Sequence, residues 1–328
     1  PTSTGFQLVT TDNEFNANNG TYIFMAIRRG GMKTPTAASD VFAIDEGDSS
    51  GAPEYTSGFP VDMAIKRGVA DTDNWRISAR LIQGINHFTN TTAADDADDK
   101  FKFDFQDGYY NDSQGANNFA WMWKRARGFF DVVAYTGNGQ NGQQIKHNLG
   151  VAPELTFIKN RGTVDNWLTL FYAGELANNE GWQSTQAFED ASSFMSSTFP
   201  NQATYFGASA NSNAGASNNN YIAYLFATVA NVSKVGSFTQ SGATNVACGF
   251  TGDTPSFILL KRTDASGNWY LFDSTRGIVA GNDKSVYLDT TDAEVTNADV
   301  VDPYSGGFAT TSSLANGDYI FYAIAAIS

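Results

Sequence analysis

The stretch Tyr319-Ile-Phe-Tyr-Ala-Ile324 decides the fold of this 328-residue chain, because similar stretches occur three times earlier in the sequence. The earlier copies, spaced about 100 residues apart, are Tyr22-Ile-Phe-Met-Ala-Ile27, Phe119-Ala-Trp-Met-Trp123 and Tyr221-Ile-Ala-Tyr-Leu-Phe226. All four are apolar, aromatic and free of charge, which is typical of a strand buried on both faces. Such a strand is either central in a sheet or covered by a neighbouring unit, and we expect the central position for residues 221–226 and 319–324. The predicted structural anchors are the leading aromatics, Tyr22, Phe119, Tyr221 and Tyr319.

A second pattern keeps the same period. A strand that follows a proline ends at Lys66, Lys159 or Lys261, and an Asn-Trp pair follows at Trp75, Trp167 or Trp269. Two independent signals with one period predict a tandem repeat with units at residues 32–128, 129–230 and 231–328. Residues 1–31 match only the end of a unit. We expect them to be the end of a preceding repeat, with residues 22–27 docked as an orphan strand on the first unit.

The fold class that these patterns predict is all-β, with tandem antiparallel β-sandwich units of jelly-roll-like type. Short apolar runs alternate with Gly, Asn and Ser turn clusters, and aromatic residues make up 14% of the chain, which favours strands. Residues 234–239 and 245–250 read as the two strands of a hairpin. Only residues 183–195 carry a pattern compatible with a helix.

Charge and cysteine content narrow the function classes. The net charge of −14, with only 20 Lys and Arg residues, argues against a nucleic-acid-binding surface. No apolar run reaches the length of a membrane-spanning helix, so we expect no membrane insertion. The single cysteine, Cys248, excludes an intrachain disulfide, and its alternating strand pattern predicts a buried apolar role.

No catalytic, cofactor-binding or metal-ligating set emerges from the sequence. The two histidines, His87 and His147, lie in different units without a carboxylate or cysteine at ligand spacing, and no nucleophile elbow, phosphate loop or zinc motif is present. The acidic stretches 45–48 and 95–99 offer hard oxygen ligands for Ca²⁺, but neither has calcium-loop spacing. We therefore expect solvated acidic loops, with Ca²⁺ binding as the alternative.

The repeated tryptophans and lysines allow two interpretations. Tryptophan faces can stack on sugars, but a residue retained in three divergent units is most simply a packing anchor, and we adopt that interpretation. The lysines can pair with the turn acids Asp73, Asp165 and Asp264. Recognition is assigned instead to polar amides and tyrosines of loops that do not repeat, because these groups suit glycan hydroxyls. The predicted glycan or receptor contacts are Tyr109, Tyr110, Asn111, Asn211, Asn213 and Asn218.

The third unit carries a family resemblance. Its segments Val235-Gly-Ser-Phe-Thr, Phe272-Asp-Ser-Thr-Arg-Gly277 and Asn316-Gly-Asp-Tyr-Ile-Phe-Tyr-Ala323 resemble an uncharacterised repeat domain found in tail-fibre-like and other virion structural proteins of marine bacteriophages. The second unit lacks the Asp-Ser-Thr-Arg-Gly segment, and the first unit is the most divergent.

The resemblance implies a non-enzymatic structural and adhesive segment of a phage tail fibre or other virion appendage. The implied partners are copies of the chain itself, as a homo-oligomer and most plausibly a trimer, together with other virion proteins and host-surface glycans. Two alternatives stay open. One is a polysaccharide depolymerase, since carboxylates are abundant. The other is a cellular surface adhesin or filament subunit.

Overall fold

The computed structural model confirms the predicted all-β fold, with 41% of the chain in strands and 5% in helices. It describes residues 8, 10, 12–26, 31–48, 51–98, 100–110, 115–174, 176–178, 181–190, 201–252 and 254–327. One helical turn, α1, spans Asn13–Asn16, and single 3-10 turns span Ala38–Asp40, Arg80–Ile82, Tyr172–Gly174 and Gly181–Gln183. Within these residues, no helix combines the length and apolar character needed to cross a membrane.

Three six-stranded antiparallel sheets, here sheets A, B and C, form the body of the molecule. Sheet A consists of β1 (Phe42–Glu46), β3 (Met63–Gly68), β4 (Arg76–Ala79), β5 (Ile85–Phe88), β6 (Asp96–Ala97) and β8 (Asn118–Trp123). Sheet B consists of β9 (Phe130–Thr136), β11 (Leu155–Asn160), β12 (Leu168–Phe171), β13 (Leu176–Asn178), β14 (Glu189–Asp190) and β16 (Asn220–Phe226). Sheet C consists of β17 (Ser233–Gln240), β19 (Phe257–Arg262), β20 (Trp269–Asp273), β21 (Asp283–Tyr287), β22 (Val295–Ala298) and β25 (Gly317–Ile324).

The three sheets share one strand order. In each, the first strand pairs with the closing strand, which pairs with the strand after the proline, and the remaining three follow in sequence. Each closing strand (β8, β16 or β25) is therefore hydrogen-bonded on both edges. The predicted central position is correct for β16 and β25, and β8 is central in sheet A as well.

Residues 22–27 do not behave as predicted. Residues 21–26 belong to no strand, and Ile23 is 100% exposed, while Ile27 lies outside the described residues. The described residues 21–26 do not dock as a strand on the first unit, since β1 already pairs with that edge of β8, from Phe42 opposite Trp123 to Glu46 opposite Phe119. The Tyr22 hydroxyl instead makes local hydrogen bonds to Ala17 and Asn13.

Small outer sheets cover the six-stranded sheets and complete each sandwich. They are β2 (Tyr55–Thr56) with β7 (Gly108–Tyr109), β10 (Gln143–Lys146) with β15 (Tyr205–Ala208), and β18 (Thr244–Ala247) with β24 (Gly307–Thr310) and β23 (Val301–Tyr304). The predicted hairpin of residues 234–239 and 245–250 is therefore wrong. β17 pairs with β25 in sheet C, whereas β18 pairs with β24 in the outer sheet, so the turn between them crosses from one layer to the other.

The inner faces of all three sheets meet in one central core. Ring contacts cross every pair of sheets in this core: Trp123 to Phe226 (6.4 Å), Phe226 to Tyr322 (4.9 Å) and Phe257 to Trp123 (5.5 Å). Under the outer sheets, A and B have separate smaller cores, while the outer core of C is continuous with the centre. Separate cores thus occur only in the outer layers of A and B.

The same hydrogen bond recurs at the end of each closing strand. The backbone N–H of the residue directly after the closing strand donates to the carbonyl of the residue just before the first strand of the same sheet. These bonds join Lys124 to Val41 (2.9 Å), Ala227 to Phe129 (3.1 Å) and Ala325 to Val232 (2.9 Å). The chain therefore enters and leaves all three sheets in the same way.

The helical pattern at residues 183–195 does not form a helix in its described part. Gly181–Gln183 is a single 3-10 turn, and Glu189–Asp190 is the short edge strand β14 of sheet B. Residues 191–195 lie outside the described residues.

Candidate functional site: the junctions between sheets

The repeated tryptophans lie where one sheet meets the next. Trp75, Trp167 and Trp269 are at most 1% exposed. Each indole N–H donates to a backbone carbonyl of the preceding sheet's segment, from Trp75 to Tyr287 (2.7 Å), from Trp167 to Phe88 (3.0 Å) and from Trp269 to Gly181 (3.1 Å). Sheet A thus binds C, B binds A and C binds B. The three sheets form a closed ring, with junctions A–B, B–C and C–A.

The backbone of each tryptophan is also held in one way. Its N–H donates to a side-chain oxygen of the same unit, which is Asn90 for Trp75 (3.1 Å), Gln183 for Trp167 (3.1 Å) and Asp289 for Trp269 (3.0 Å). Because a buried N–H without a partner destabilises a fold, these three side chains fix the start of the tryptophan strand. Unit 3 uses a carboxyl at this position, and burial raises the pKa of Asp289 above its ordinary value.

A buried cation lies opposite each tryptophan. In sheet C, Lys261 pairs with Trp269 across β19 and β20. Its Nζ donates to the Ser184 carbonyl of sheet B's segment (3.5 Å) and to the Gly267 carbonyl (2.5 Å). Lys159 likewise donates to the carbonyls of Thr92 in the A segment (3.1 Å) and Asp165 (2.7 Å). Burial lowers the pKa of both lysines to about 8.

In sheet A the equivalent residue is Arg67 and not Lys66, which corrects the sequence assignment. Arg67 faces Phe119 across β8, as Lys159 faces Ile222 across β16. Its Nη2 donates to the carbonyls of Asp71 (3.0 Å), Thr291 (2.8 Å) and Asp292 (2.9 Å). Lys66 points to the opposite face of the sheet, and burial lowers its pKa to about 8.

The predicted ion pairs between the lysines and turn acids are replaced by these carbonyl contacts. The Asp264 carboxylate pairs with Arg262 instead (2.7 Å). The Asp165 contact to Lys159 comes from its backbone carbonyl and not from its carboxylate.

Main-chain hydrogen bonds strengthen each junction. At A–B, Asp95 N–H binds the Arg161 carbonyl (2.9 Å) and Asp165 N–H binds the Thr92 carbonyl (3.0 Å). At B–C, Phe188 N–H binds the Thr263 carbonyl (2.8 Å) and Gly267 N–H binds the Thr185 carbonyl (2.8 Å). At C–A, Glu294 N–H binds the Val69 carbonyl (2.8 Å).

Residues 42–327 match the family model of DUF7483, a domain of unknown function. The chain belongs to the DUF7483 family. The matched stretch begins at Phe42, the first residue of β1, and extends three residues beyond β25. The DUF7483 domain therefore contains all three sheets of the ring. No protein of curated function matches the chain.

Two junctions of the DUF7483 domain add charged groups that do not repeat. At C–A, buried Asp273 accepts from Trp121 Nε1 (3.0 Å) and from Arg276 Nε (2.7 Å), and Arg276 Nη1 reaches Glu294 (2.9 Å). At A–B, Asp95 binds both His87 and Arg161. Sequence reasoning missed the contacts of Asp273 with Trp121 and of Asp95 with Arg161 because the partners lie in different units.

The predicted glycan contacts of the DUF7483 domain differ in how exposed they are. Tyr109 is 0% exposed and stacks on Tyr55, and Asn213 is 9% exposed, so neither is the exposed contact that was predicted. Tyr110 is half-buried under Lys102. On the loop before β16, Asn218 is exposed and Asn211 is half-buried with a buried Oδ1, whereas Asn111 lies outside the described residues.

The acidic stretches bind donors of the protein itself. Asp45 accepts from the Thr56 N–H (2.6 Å) and hydroxyl (2.9 Å), and Glu46 accepts from Asn117 N–H (2.7 Å). Asp96 and Asp98 lie near Arg76, at 4.0 and 3.4 Å. Among the described residues, no group of three or more acidic, histidine or cysteine side chains is arranged to hold a metal ion.

A cavity of about 360 Å³ opens beside His147 between β10 and β15 and is also lined by Lys146, Asn148, Thr204 and Tyr205. His147 is committed to local structure here. Its Nε2 lies 3.0 Å from the Gln202 carbonyl, and its Nδ1 accepts the Leu149 N–H (3.2 Å). Burial lowers the pKa of His147, which keeps the ring neutral for both bonds.

Proposed function

We propose that this chain is a non-enzymatic structural and adhesive segment of a bacteriophage tail fibre or another virion appendage. The observation that carries the proposal is the junction repeated three times around a common core. A tryptophan and a buried cation of each sheet bind the backbone of the sheet before it. Such a ring resists deformation, because no sheet separates without exposing central-core aromatics and breaking buried hydrogen bonds.

The threefold repetition supports a place on an appendage. Closed symmetric arrangements are the usual solution for assemblies of identical parts. The three equivalent sheets give a single chain an approximate threefold arrangement, like that of a homotrimer. Such an arrangement can match the symmetry of a threefold-symmetric neighbour. In this proposal the chain associates with copies of itself or with other virion proteins, and the resemblance of the third unit to virion proteins points the same way.

Contact with host-surface glycans is assigned to the outer loops, because the inner faces are committed to the core. Asn218 provides an exposed amide group on the loop before β16, and its positive φ of 62° makes this loop a defined turn. Asn211 lies on the same loop and is half-buried. Amide groups donate and accept hydrogen bonds with sugar hydroxyls.

The test is to locate the chain in purified particles of a phage that encodes it. Mass spectrometry of the virion and immunogold labelling with an antibody to this chain should place it on an appendage. Its absence from purified particles would overturn the proposal. Incubation with host polysaccharide should release no reducing ends, and a release above that of a heat-denatured control would favour a depolymerase instead.

A further inference from the structure

Junction A–B holds a buried histidine that the other two junctions lack. His87, on β5, is 0% exposed, and its Nε2 lies 2.7 Å from Asp95 Oδ1. Asp95 also accepts two hydrogen bonds from Arg161 of sheet B, at 3.1 and 2.7 Å. The His87 ring meets the edge of Trp167, with centroids 6.0 Å apart. One carboxylate therefore joins a titratable side chain of sheet A to a cation of sheet B.

The surroundings of His87 favour the neutral ring. Its Nδ1 is buried without a hydrogen-bond partner among the described residues, so Nε2 carries the proton and donates to Asp95. The charged groups that face it are Asp95 from its own segment and Lys159 and Arg161 from sheet B. Burial lowers the pKa of His87, and the hydrogen bond to Asp95 offsets this only in part.

Protonation of His87 would conflict with the closed junction in two ways. The new Nδ1–H would have no acceptor, which is costly for a buried donor. A third positive charge would also join Lys159 and Arg161 around the single carboxylate of Asp95. Burial by itself raises the pKa of Asp95, but its hydrogen bonds from His87 and Arg161 lower it below the ordinary value, so Asp95 stays charged until the pH is well below neutral.

We propose that junction A–B is an acid-sensitive clasp, in which protonation of His87 releases the β5–β6 edge of sheet A from sheet B while junctions B–C and C–A stay closed. The folded pKa of His87 lies below its unfolded value near 6.5. The open junction therefore binds the proton more tightly. Stability is fully present above about pH 6.5 and is lost as the pH falls below it.

The location of the remaining titratable groups makes the effect local. The other histidine, His147, lies in the outer layer over sheet B and bonds to Gln202 and Leu149, not across a junction. Junction B–C is closed by Lys261 and main-chain bonds, and junction C–A by Arg67, Arg276, Asp273 and Glu294. None of these residues is a histidine, so only junction A–B contains a histidine that can change its charge near pH 6.

The test is hydrogen exchange by mass spectrometry on the full chain at pH 7.5 and 5.5, with rates corrected for intrinsic exchange. The matched variant is His87→Gln, whose amide can donate to Asp95 but does not titrate. In the wild type, residues 85–98 and 160–168 should open about tenfold more often at pH 5.5, as expected for an unfolded pKa near 6.5. Residues 184–190 and 263–268 at junction B–C should change little, and His87→Gln should remove the A–B response.

Two results would overturn the clasp. One is an equal response of the wild type and His87→Gln at residues 85–98. The other is a uniform response of all three junctions in the wild type, which would indicate global acid destabilisation. The second comparison needs no variant, so the proposal remains testable if His87→Gln does not fold.

Discussion

Replacement of Trp269 by alanine tests how the ring distributes its stability. Trp269 is 1% exposed and packs on Phe157 of sheet B, with ring centroids 5.6 Å apart, and near Phe188 at 6.3 Å. Its indole N–H binds the Gly181 carbonyl across junction B–C. The substitution therefore leaves a cavity in the central core and a carbonyl without its donor.

The expected loss is large. Removal of a buried tryptophan side chain typically costs about 3–5 kcal/mol, which includes the loss of its hydrogen bond. This loss is a large part of the usual stability of about 5–15 kcal/mol for a domain. Because the core is shared, we expect sheets A, B and C to lose stability together. Independent units would confine the loss to sheet C.

The assay combines urea unfolding, followed by intrinsic fluorescence, with hydrogen exchange resolved by segment. Trp269→Phe is the matched control, since it keeps most of the ring volume but lacks the N–H, and should cost about 1–3 kcal/mol. Faster exchange confined to residues 233–324, with sheets A and B at wild-type protection, would refute the shared-core reasoning. A loss below about 1 kcal/mol for the alanine variant would refute the anchor role of the tryptophan.

Three further substitutions or treatments have definite outcomes. Arg67→Met should raise hydrogen exchange at residues 289–294, because it removes the donor to three junction carbonyls. Lys66→Met, on the opposite face of the strand, should leave this exchange unchanged. Equal effects of the two variants would contradict the assigned register. Burial lowers the pKa of Lys159 to about 8, so the unfolded state binds more protons than the folded state between pH 8 and 10.5. The stability of the chain should therefore rise over that range, by at most about 3 kcal/mol from this lysine. Lys159→Met should reduce this rise in stability, and an unchanged pH profile would count against the buried cation. Cys248, buried and with a pKa raised by burial to about 12, should react with a thiol reagent only after unfolding; rapid labelling of the native chain at pH 8 would show an exposed thiolate.

Local sequence patterns predicted the strands better than their partners. The closing strand of residues 319–324 is apolar on both faces, and this pattern predicts a strand that is covered on both faces whatever the topology. The pairing of Ser233 with Ile324 joins residues at the two ends of one unit, and no local signal specifies it. The turn between β17 and β18 therefore looked like a hairpin although it connects two layers.

The assignment of Lys66 failed for a reason that lies in strand geometry. Pro60 precedes Met63 by three residues, whereas Pro153 precedes Leu155 by two, and Met63 and Leu155 are equivalent in the sheets. One extra residue shifts the register by one, and a shift of one reverses the face of every side chain. The sequence pattern aligned Lys66 with Lys159, but the side-chain alternation along the strand makes Arg67 the structural equivalent of Lys159.

The ring itself left little trace in the sequence. The recurrence of Trp75, Trp167 and Trp269 predicted buried anchors, and all three are buried. Their indole partners, however, are backbone carbonyls of neighbouring units, and a carbonyl has no residue type that a sequence pattern could reveal. The apolar residues on both faces of the strands predicted that both faces of each sheet are buried. They did not indicate which part of the chain packs against the second face.

The closed ring is tested most directly by the contact between its first and last sheets. Asp71 and Asp292 are exposed, and their backbone carbonyls bind the same nitrogen of Arg67, at 3.0 and 2.9 Å. In a chain with Cys248 replaced by alanine, cysteines at positions 71 and 292 should be joined by a short bismaleimide within the monomer, in high yield and without loss of stability. A string of three units in which the first and third do not touch would give no intramolecular product, and that result would contradict the ring.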